Sequence, residues 1–292
     1  MDKKKILITG GTGFIGKEVL KLLSRNNFKI LCISRRTQKK RKNITWIKSN
    51  LNINRLNLSK IQKFRPFALI HLSWEKIPDF SKEICEKNYK DNISFLKKIE
   101  KISSIKKIII TGSCFEYEDK NSKKKENDKV NLKDYFSSTK YKIFNDVKNR
   151  FKNSSVKFAW FRIFYAYGPF QRKKSLIPYL MHSLKNKKTI EIKTPYFEND
   201  FIFTEDIAKI IKKSLKINFK NGIYNLGSGK SSKITEIIQI IEKLSKNKFI
   251  IKKNLNKKKN VFYADMSKTV KMFKFKKFTK LKIGIKKTLL KI

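Results

Sequence analysis

Short apolar runs alternate with amphipathic stretches of helical length along the first half of the chain. Lys4–Thr9 reads as a buried strand, followed by a glycine turn and a helix from about Phe14 to Asn26. Phe28–Ile33 and Ile44–Lys48 are the next strand candidates, and Phe67–Leu72 follows the turn at Pro66. A long helix over Asp79–Lys101 precedes a strand at Lys106–Thr111. The polar, Lys-rich segment Tyr117–Lys133 reads as a surface loop; a helix over Tyr135–Phe151 and a strand at Val156–Ile163 come next. Parallel strands need crossover connections, so this alternation predicts a mostly parallel sheet covered on both faces.

After Gly168-Pro169 the pattern changes. A helix at Leu176–Lys185, a short strand at Thr189–Ile192, a helix from Thr204 and a strand-turn around Gly222–Gly229 are followed by helices at Ile234–Leu244 and Met266–Phe273. This mixed tail predicts a smaller second lobe. The expected division is residues 1–167 and 168–292, with segments free to cross between lobes.

The segment Thr9-Gly10-Gly11-Thr12-Gly13-Phe14-Ile15-Gly16 sits between the first strand and the first helix. Gly10, Gly13 and Gly16 recur every third residue, which suits a tight turn, close approach to a pyrophosphate and close helix-on-strand packing. With the alternating pattern this predicts an α/β fold of Rossmann type, a doubly wound parallel sheet holding a dinucleotide. Beyond the second strand stand Ser34, Arg35 and Arg36, where a carboxylate would favour NAD. Two guanidinium groups can embrace a 2′-phosphate, so NADP is the expected cofactor, with NAD the alternative.

Charge changes the picture less than its size suggests. Lys+Arg number 72 against 23 Asp+Glu, a net charge of +49, yet the basic residues are 63 Lys and 9 Arg spread from end to end. A sequence-reading nucleic-acid surface presents a basic stripe with Arg reaching bases, so no specific nucleic acid is expected as partner. The 40% apolar content excludes wholesale disorder. No apolar run reaches membrane-spanning length, so no membrane is expected as partner. MDKKKILITGG lacks the features of a signal peptide, and Cys32, Cys85 and Cys114 are odd in number and show no metal spacing; both suit the cytoplasm.

Taken in order, several motifs resemble the extended short-chain dehydrogenase/reductases, the NAD(P)-dependent sugar-nucleotide epimerase/dehydratase family. They are TGGTGFIG at Thr9–Gly16, IHLSW at Ile70–Trp74, Asn92, GSCFEY at Gly112–Tyr117, RIFYAYGP at Arg162–Pro169, DFIFTEDIA at Asp200–Ala208, GIYNLGSG at Gly222–Gly229 and YADMSK at Tyr263–Lys268. The resemblance implies a C-terminal substrate lobe of mixed α/β structure over a nucleotide-sugar substrate. It implies cofactor contacts from Gly10, Thr12, Gly13, Phe14, Ile15, Gly16, Ser34, Arg35, Arg36, Asn50, Leu51, Leu72, Ser73, Trp74, Asn92 and Lys140. Members often form homodimers through a helix pair that would include the Lys140 helix.

In that family a Ser or Thr polarises the sugar oxygen and a Tyr-x-x-x-Lys pair moves the proton. The Ser corresponds to Ser113 and the Lys to Lys140, but the tyrosine position holds Phe136. Tyr135 lies beside it in sequence, yet i and i+4 are about 40° apart around a helix while i and i+5 are about 140° apart, so Tyr135 points elsewhere on a regular helix. Three readings follow: another donor (Tyr135, Tyr117, Tyr165 or water), cofactor binding without efficient turnover, or Ser113 and solvent handling the proton.

The family's dehydratases carry Asp-Glu after the catalytic Thr; here Cys114 and Phe115 stand there, which disfavours elimination. Glu116 resembles members that reduce 4-keto-6-deoxy sugar nucleotides. The expected activity is therefore reduction at C4 of a nucleotide-activated sugar for surface polysaccharide, with 4-epimerisation and a cofactor-binding protein as alternatives. Tyr165 replaces a common substrate-contacting Asn, Asn50 an Asp near the adenine, and Lys257–Lys259 an Arg near the nucleotide.

Other residues read as structural. Cys114 lacks a partner base, His71 is a satisfied strand-end residue beside the cofactor, and His182 has no ligand neighbour. Asp200 and Asp206 suit inter-lobe structure or helix capping, and Phe273, Phe275 and Phe278 a core.

Overall fold

The computed structural model describes residues 3–39, 41–51, 56, 58–118, 121–252 and 258–291. Lys257 therefore lies outside the described residues, as do Asp119 and Lys120 of the polar segment. In chain order the first elements are β1 (Lys4–Thr9), α1 (Phe14–Ser24), β2 (Phe28–Ser34), β3 (Ile44–Lys48), α2 (Leu58–Phe64), β4 (Ala68–His71), α3 (Lys82–Ile99) and β5 (Lys107–Ser113). Then come β6 (Ser122–Lys124), α4 (Tyr135–Arg150), β7 (Lys157–Ile163), β8 (Tyr165–Tyr167), α5 (Leu176–Lys185), β9 (Ile190–Glu191), β10 (Phe197–Asn199) and β11 (Phe201–Phe203). The last are α6 (Thr204–Ser214), β12 (Gly222–Leu226), β13 (Ser232–Lys233), α7 (Ile234–Ser245), β14 (Ile251–Lys252), β15 (Asn260–Ala264), α8 (Ser267–Phe273) and α9 (Leu281–Leu289).

A seven-stranded sheet runs in the order β12-β7-β5-β4-β1-β2-β3, and β1 pairs in parallel with both β2 and β4. The chain thus leaves β1 in one direction through β2 and β3, then returns to β4 on its other side. That reversal opens a crevice at the carboxyl ends of β1 and β4, where doubly wound sheets bind ligands. The strands are near-continuous apolar runs because both faces are covered: Ile6, Leu7 and Ile8 have no exposed surface. Leu7, Leu69, Ile108 and Trp160 share one core with Phe95 and Leu96 of α3 and Phe144 and Val147 of α4.

Two compact units divide the described chain discontinuously: 1–118, 129–162 and 208–224 form one, and 119–128, 163–207 and 225–292 the other. Within the second, a four-stranded sheet runs β13-β10-β15-β6, and Tyr167, Leu180, Phe203, Ile237, Ile241 and Ile285 build a separate core. Phe273 and Phe275 are buried outside that cluster, and Phe275 packs edge-to-face with Phe278. No helix among the described residues is long and apolar enough to cross a membrane.

Two readings need correction. The segment Tyr117–Lys133 is not a surface loop throughout: β6 pairs in parallel with β15, and Tyr117, Lys124 and Glu126 are buried. Glu126 is compensated there by the Asn225 backbone N–H at 2.9 Å, so burial leaves its carboxylate partnered. Asp200 neither bridges lobes nor caps a helix. Its carboxylate accepts from the Ser228, Gly229 and Ala264 backbone N–H groups, all in its own unit, and so ties a glycine turn to β15. Asp206 likewise holds Thr279 of the same unit, accepting from its N–H at 2.6 Å.

Candidate active site

At the end of β1 the chain turns through Gly10, whose φ of +71° lies in the left-handed region. A Cβ on Gly10 would stand 2.7 Å from the Leu72 carbonyl carbon, and one on Gly16 would stand 2.1 Å from the Gly10 carbonyl oxygen. Loop, strand β4 and helix α1 therefore touch backbone to backbone. Gly13 differs, since a Cβ there would meet only the Gly10 oxygen, at 3.2 Å. Gly13 is the N-cap of α1; no side chain caps the helix and its first turn holds no acid. Its first N–H groups are thus left to an anion.

The loop borders a cleft of about 680 Å³, open mouth included. Gly10, Thr12 and Gly13 line it beside Ser34 and Arg35 from the end of β2. Asn50 and Leu51 after β3, Leu72, Ser73 and Trp74 after β4, and Asn92 of α3 complete its predicted lining. Phe14, Ile15 and Gly16 belong to the first turn of α1 and do not line it. Arg36 lines an adjoining recess with Thr12, Lys17, Ser34, Arg35 and Gln38. Lys17, Gln38, Glu75 and Asp91 border the cleft or the recess without belonging to any motif that singles them out. Glu75 pairs with Arg35 at 3.3 Å and with Lys87 at 2.9 Å, and Lys87 reaches Asp91 at 2.7 Å.

Buried polar groups behind the cleft are paired. The Thr9 hydroxyl meets His71 Nδ1 at 2.7 Å, and His71 Nε2 meets Asn92 Oδ1 at 2.5 Å. Asn92 uses its NH₂ on the Asn88 carbonyl, so its oxygen faces the imidazole and the His71 proton sits on Nε2. Burial pushes the His71 pKa down to about 4, with the Lys140 charge adding to the fall and the Asn92 bond opposing it. A depressed histidine pKa means the unfolded chain takes up protons first as pH falls below about 6.5. The His71 contribution to stability should be flat above that pH and fall by about 2.5 kcal/mol on acidification to pH 4.5. Urea unfolding at both pH values checks this: His71→Gln should remove that part of the slope, and an unchanged slope would count against it.

The Trp74 indole N–H is buried on the cleft wall without a hydrogen-bond partner among the described residues. An orphaned donor beside an open helix N-terminus fits a polar ligand lying along this crevice.

Ser113 closes β5 and starts a tight turn over Cys114–Glu116. Its Oγ accepts from the Phe115 N–H at 3.2 Å, which leaves the hydroxyl proton free to donate outward. Its own N–H donates to Glu116 Oε1 at 2.7 Å. Glu116 is fully buried and also accepts from Trp160 Nε1 at 3.1 Å and Arg162 Nε at 2.9 Å. Gly112 is required here, because a Cβ would stand 2.2 Å from the Trp160 indole nitrogen and 2.3 Å from the Glu116 carboxylate. Cys114 is buried and forms no disulfide.

Helix α4 is regular and capped by Asp134, which accepts from the Ser137 N–H at 2.8 Å. Two bonds dock it to the end of β5: Ser137 Oγ donates to the Phe115 carbonyl at 2.6 Å, and Lys140 Nζ donates to the Thr111 carbonyl at 3.0 Å. Phe136 is 6% exposed and its ring lies 4.3 Å from Phe80 and 5.1 Å from Trp74, centroid to centroid. Tyr135 is 54% exposed on the other side of the helix. Tyr117 is buried with the Arg162 guanidinium 4.5 Å from its ring, and Tyr165, in the second unit, packs on Phe201 and Phe262. Lys140 Nζ lies 4.1 Å over the Trp74 ring, and burial lowers its pKa to about 8 against an opposing pull from Glu116.

A profile of the NAD dependent epimerase/dehydratase family matches residues 6–227. The chain belongs to this family. CDP-abequose synthase of Salmonella muenchen, a relative, is 27% identical over 248 residues, spanning 82% of this chain and 80% of that protein. dTDP-4-dehydro-6-deoxyglucose reductase of Escherichia coli is 26% identical, spanning 86% of this chain and 85% of its own. The family fold is shared with a crystal structure of UDP-glucuronic acid 4-epimerase from Bacillus cereus, in complex with UDP-glucuronic acid and NAD. That match has a TM-score of 0.85 at 20% identity and covers 98% of each chain. The chain is thus an enzyme of the NAD dependent epimerase/dehydratase family.

Proposed function

We propose that the chain is an NADP-linked reductase of the C4 ketone of a nucleotide-activated 6-deoxy sugar. One observation carries the reading: the carboxylate nearest Ser113 in the turn after β5, Glu116, is buried in an ion pair with Arg162 at 2.9 Å. It has no freedom to act as the acid or base that elimination from a sugar needs, which leaves interconversion of ketone and alcohol. The names of the Salmonella and E. coli relatives support the same class.

When bound, the dinucleotide supplies the electron pair that reduces the carbonyl. The protein's part is to hold and orient. The open N-terminus of α1 and the Gly10–Gly16 loop suit a pyrophosphate, and the Trp74 N–H offers a donor along the wall. Lys17, Arg35 and Arg36 surround a recess without a carboxylate in its lining, which suits a 2′-phosphate. The Ser113 hydroxyl donates to the sugar's carbonyl oxygen and polarises it.

Loss of NADPH absorbance with a panel of dTDP- and CDP-linked 4-keto-6-deoxy sugars tests the reading. Turnover of one member is expected. If none reacts while NADPH still binds, the reductase assignment is wrong and the 4-epimerase and cofactor-binding readings remain. R35A/R36A should weaken NADPH binding 10- to 100-fold, at about 1.5–3 kcal/mol for hydrogen bonds to a charged group, and leave NADH binding unchanged. Equal loss for both cofactors in fluorescence titrations would remove the phosphate assignment.

A further inference from the structure

The site raises a question of proton supply. Reduction of a ketone adds a hydride and a proton, and Phe136 has no proton to give. Its ring is enclosed by Phe80, Trp74 and Phe115, at 4.3, 5.1 and 6.4 Å between centroids. Tyr135 faces solvent and Tyr117 is buried against Arg162.

Lys140 is differently placed. Its ammonium is buried, 7% of the residue being exposed, and makes one hydrogen bond among the described residues, to the Thr111 carbonyl two positions before Ser113. A second side of the ammonium lies against the Trp74 ring at 4.1 Å. Among the described residues no carboxylate pairs with it directly. The Phe136 ring lies farther off, at 5.9 Å. An ammonium carries three protons and only one is spent on a hydrogen bond among the described residues, which leaves donor capacity at the end of β5, where Ser113 stands.

We propose that Lys140 is itself the acid that protonates the sugar's C4 oxygen, a role that rests on the reductase reading. A bound reduced nicotinamide dinucleotide would supply a hydride, whose hydrogen forms the new C–H bond at C4 while the C=O π pair moves onto the oxygen, and would itself be left oxidised. The Lys140 Nζ–H bond breaks, the O–H bond of the alcohol forms, and the neutral amine regains its proton from water. A tyrosine at position 136 would stand between lysine and substrate; with phenylalanine there, the lysine acts without an intermediary.

The groups facing Lys140 set its titration. Glu116 from the turn after β5 and Cys85 from α3 raise it, burial outweighs both, and His71 at the end of β4 is held neutral by its own burial. Cys85 is in turn affected by Asp134 and Asp79. The balance leaves an ammonium that is charged at neutral pH and titrates near 8.

The test combines titration with turnover. Competitive acetylation across pH, read by mass spectrometry on the Lys140 peptide, should give a midpoint near 8. Single-turnover reduction by the wild type should fall as pH rises through the same midpoint. K140R keeps a cation but holds its proton, so its rate at pH 7 and saturating NADPH should drop at least 100-fold, an effect of the size general acids supply. F136Y/K140R should recover at least tenfold over K140R, because the phenol restores a donor. A midpoint near 10, or K140R turnover within threefold of wild type, overturns the proposal and leaves the reductase reading standing. A wild type that binds NADPH and reduces no ketone of the panel overturns both.

Discussion

Replacing Glu116 with alanine should cost about 3–5 kcal/mol of stability, the range for removing one partner of a buried ion pair. Glu116 and Arg162 are both without exposed side-chain surface, so the guanidinium left behind could not rehydrate without opening the core. Two further donors would lose their acceptor, the Ser113 N–H and the Trp160 indole. E116Q keeps an oxygen for some of these bonds and should fall between wild type and E116A. E116M/R162M removes both charges together and should be less destabilised than E116A alone. Urea unfolding of the four proteins decides it. An E116A loss below about 1 kcal/mol would mean that the pair contributes little.

The second large effect is expected at Ser113, and it is catalytic. In S113A the donor aimed at the developing oxyanion is lost, and such losses lower turnover by about 10²–10³-fold. The fold should barely notice: the lost bond from the Phe115 N–H is a capping interaction of about 0.5–2 kcal/mol. A normal NADPH affinity with a collapsed rate would separate this outcome from misfolding. Turnover within threefold of wild type would show that the hydroxyl does not touch the reacting oxygen.

How much of this was legible beforehand depended on the range of the interactions. The loop Thr9–Gly16 and the order of strands and helices around it are local patterns, and the central sheet follows them. The regular start of α4 was legible too: Asp134 caps it, Phe136 turns inward and Tyr135 outward, as helical spacing requires. The resemblance picks out Glu116 but not its buried pairing, since its partners Trp160 and Arg162 lie 44 and 46 residues away and only the sheet brings them together. The segment after Tyr117 misleads because lysine-rich composition suggests solvent, whereas Lys124 and Glu126 are buried through non-local pairing with β15 and Asn225. Short strands such as β10 and β13, of three and two residues, give too few alternations to show a period. Helix α2 buries Ile61 and otherwise little, and α9 carries Gly284 in its middle, where Tyr167 packs against it; neither announces itself.

All three cysteines are buried and outside any disulfide, and the Cys32 thiol is pushed up to about 12 by its burial. Maleimide-type reagents need an accessible thiolate, so the native chain should resist them while folded. A cysteine introduced at exposed Tyr135 would then be the preferred attachment point for a dye, on the same helix as Lys140. Docking of that helix could be followed optically without first stripping the protein of its own sulfur.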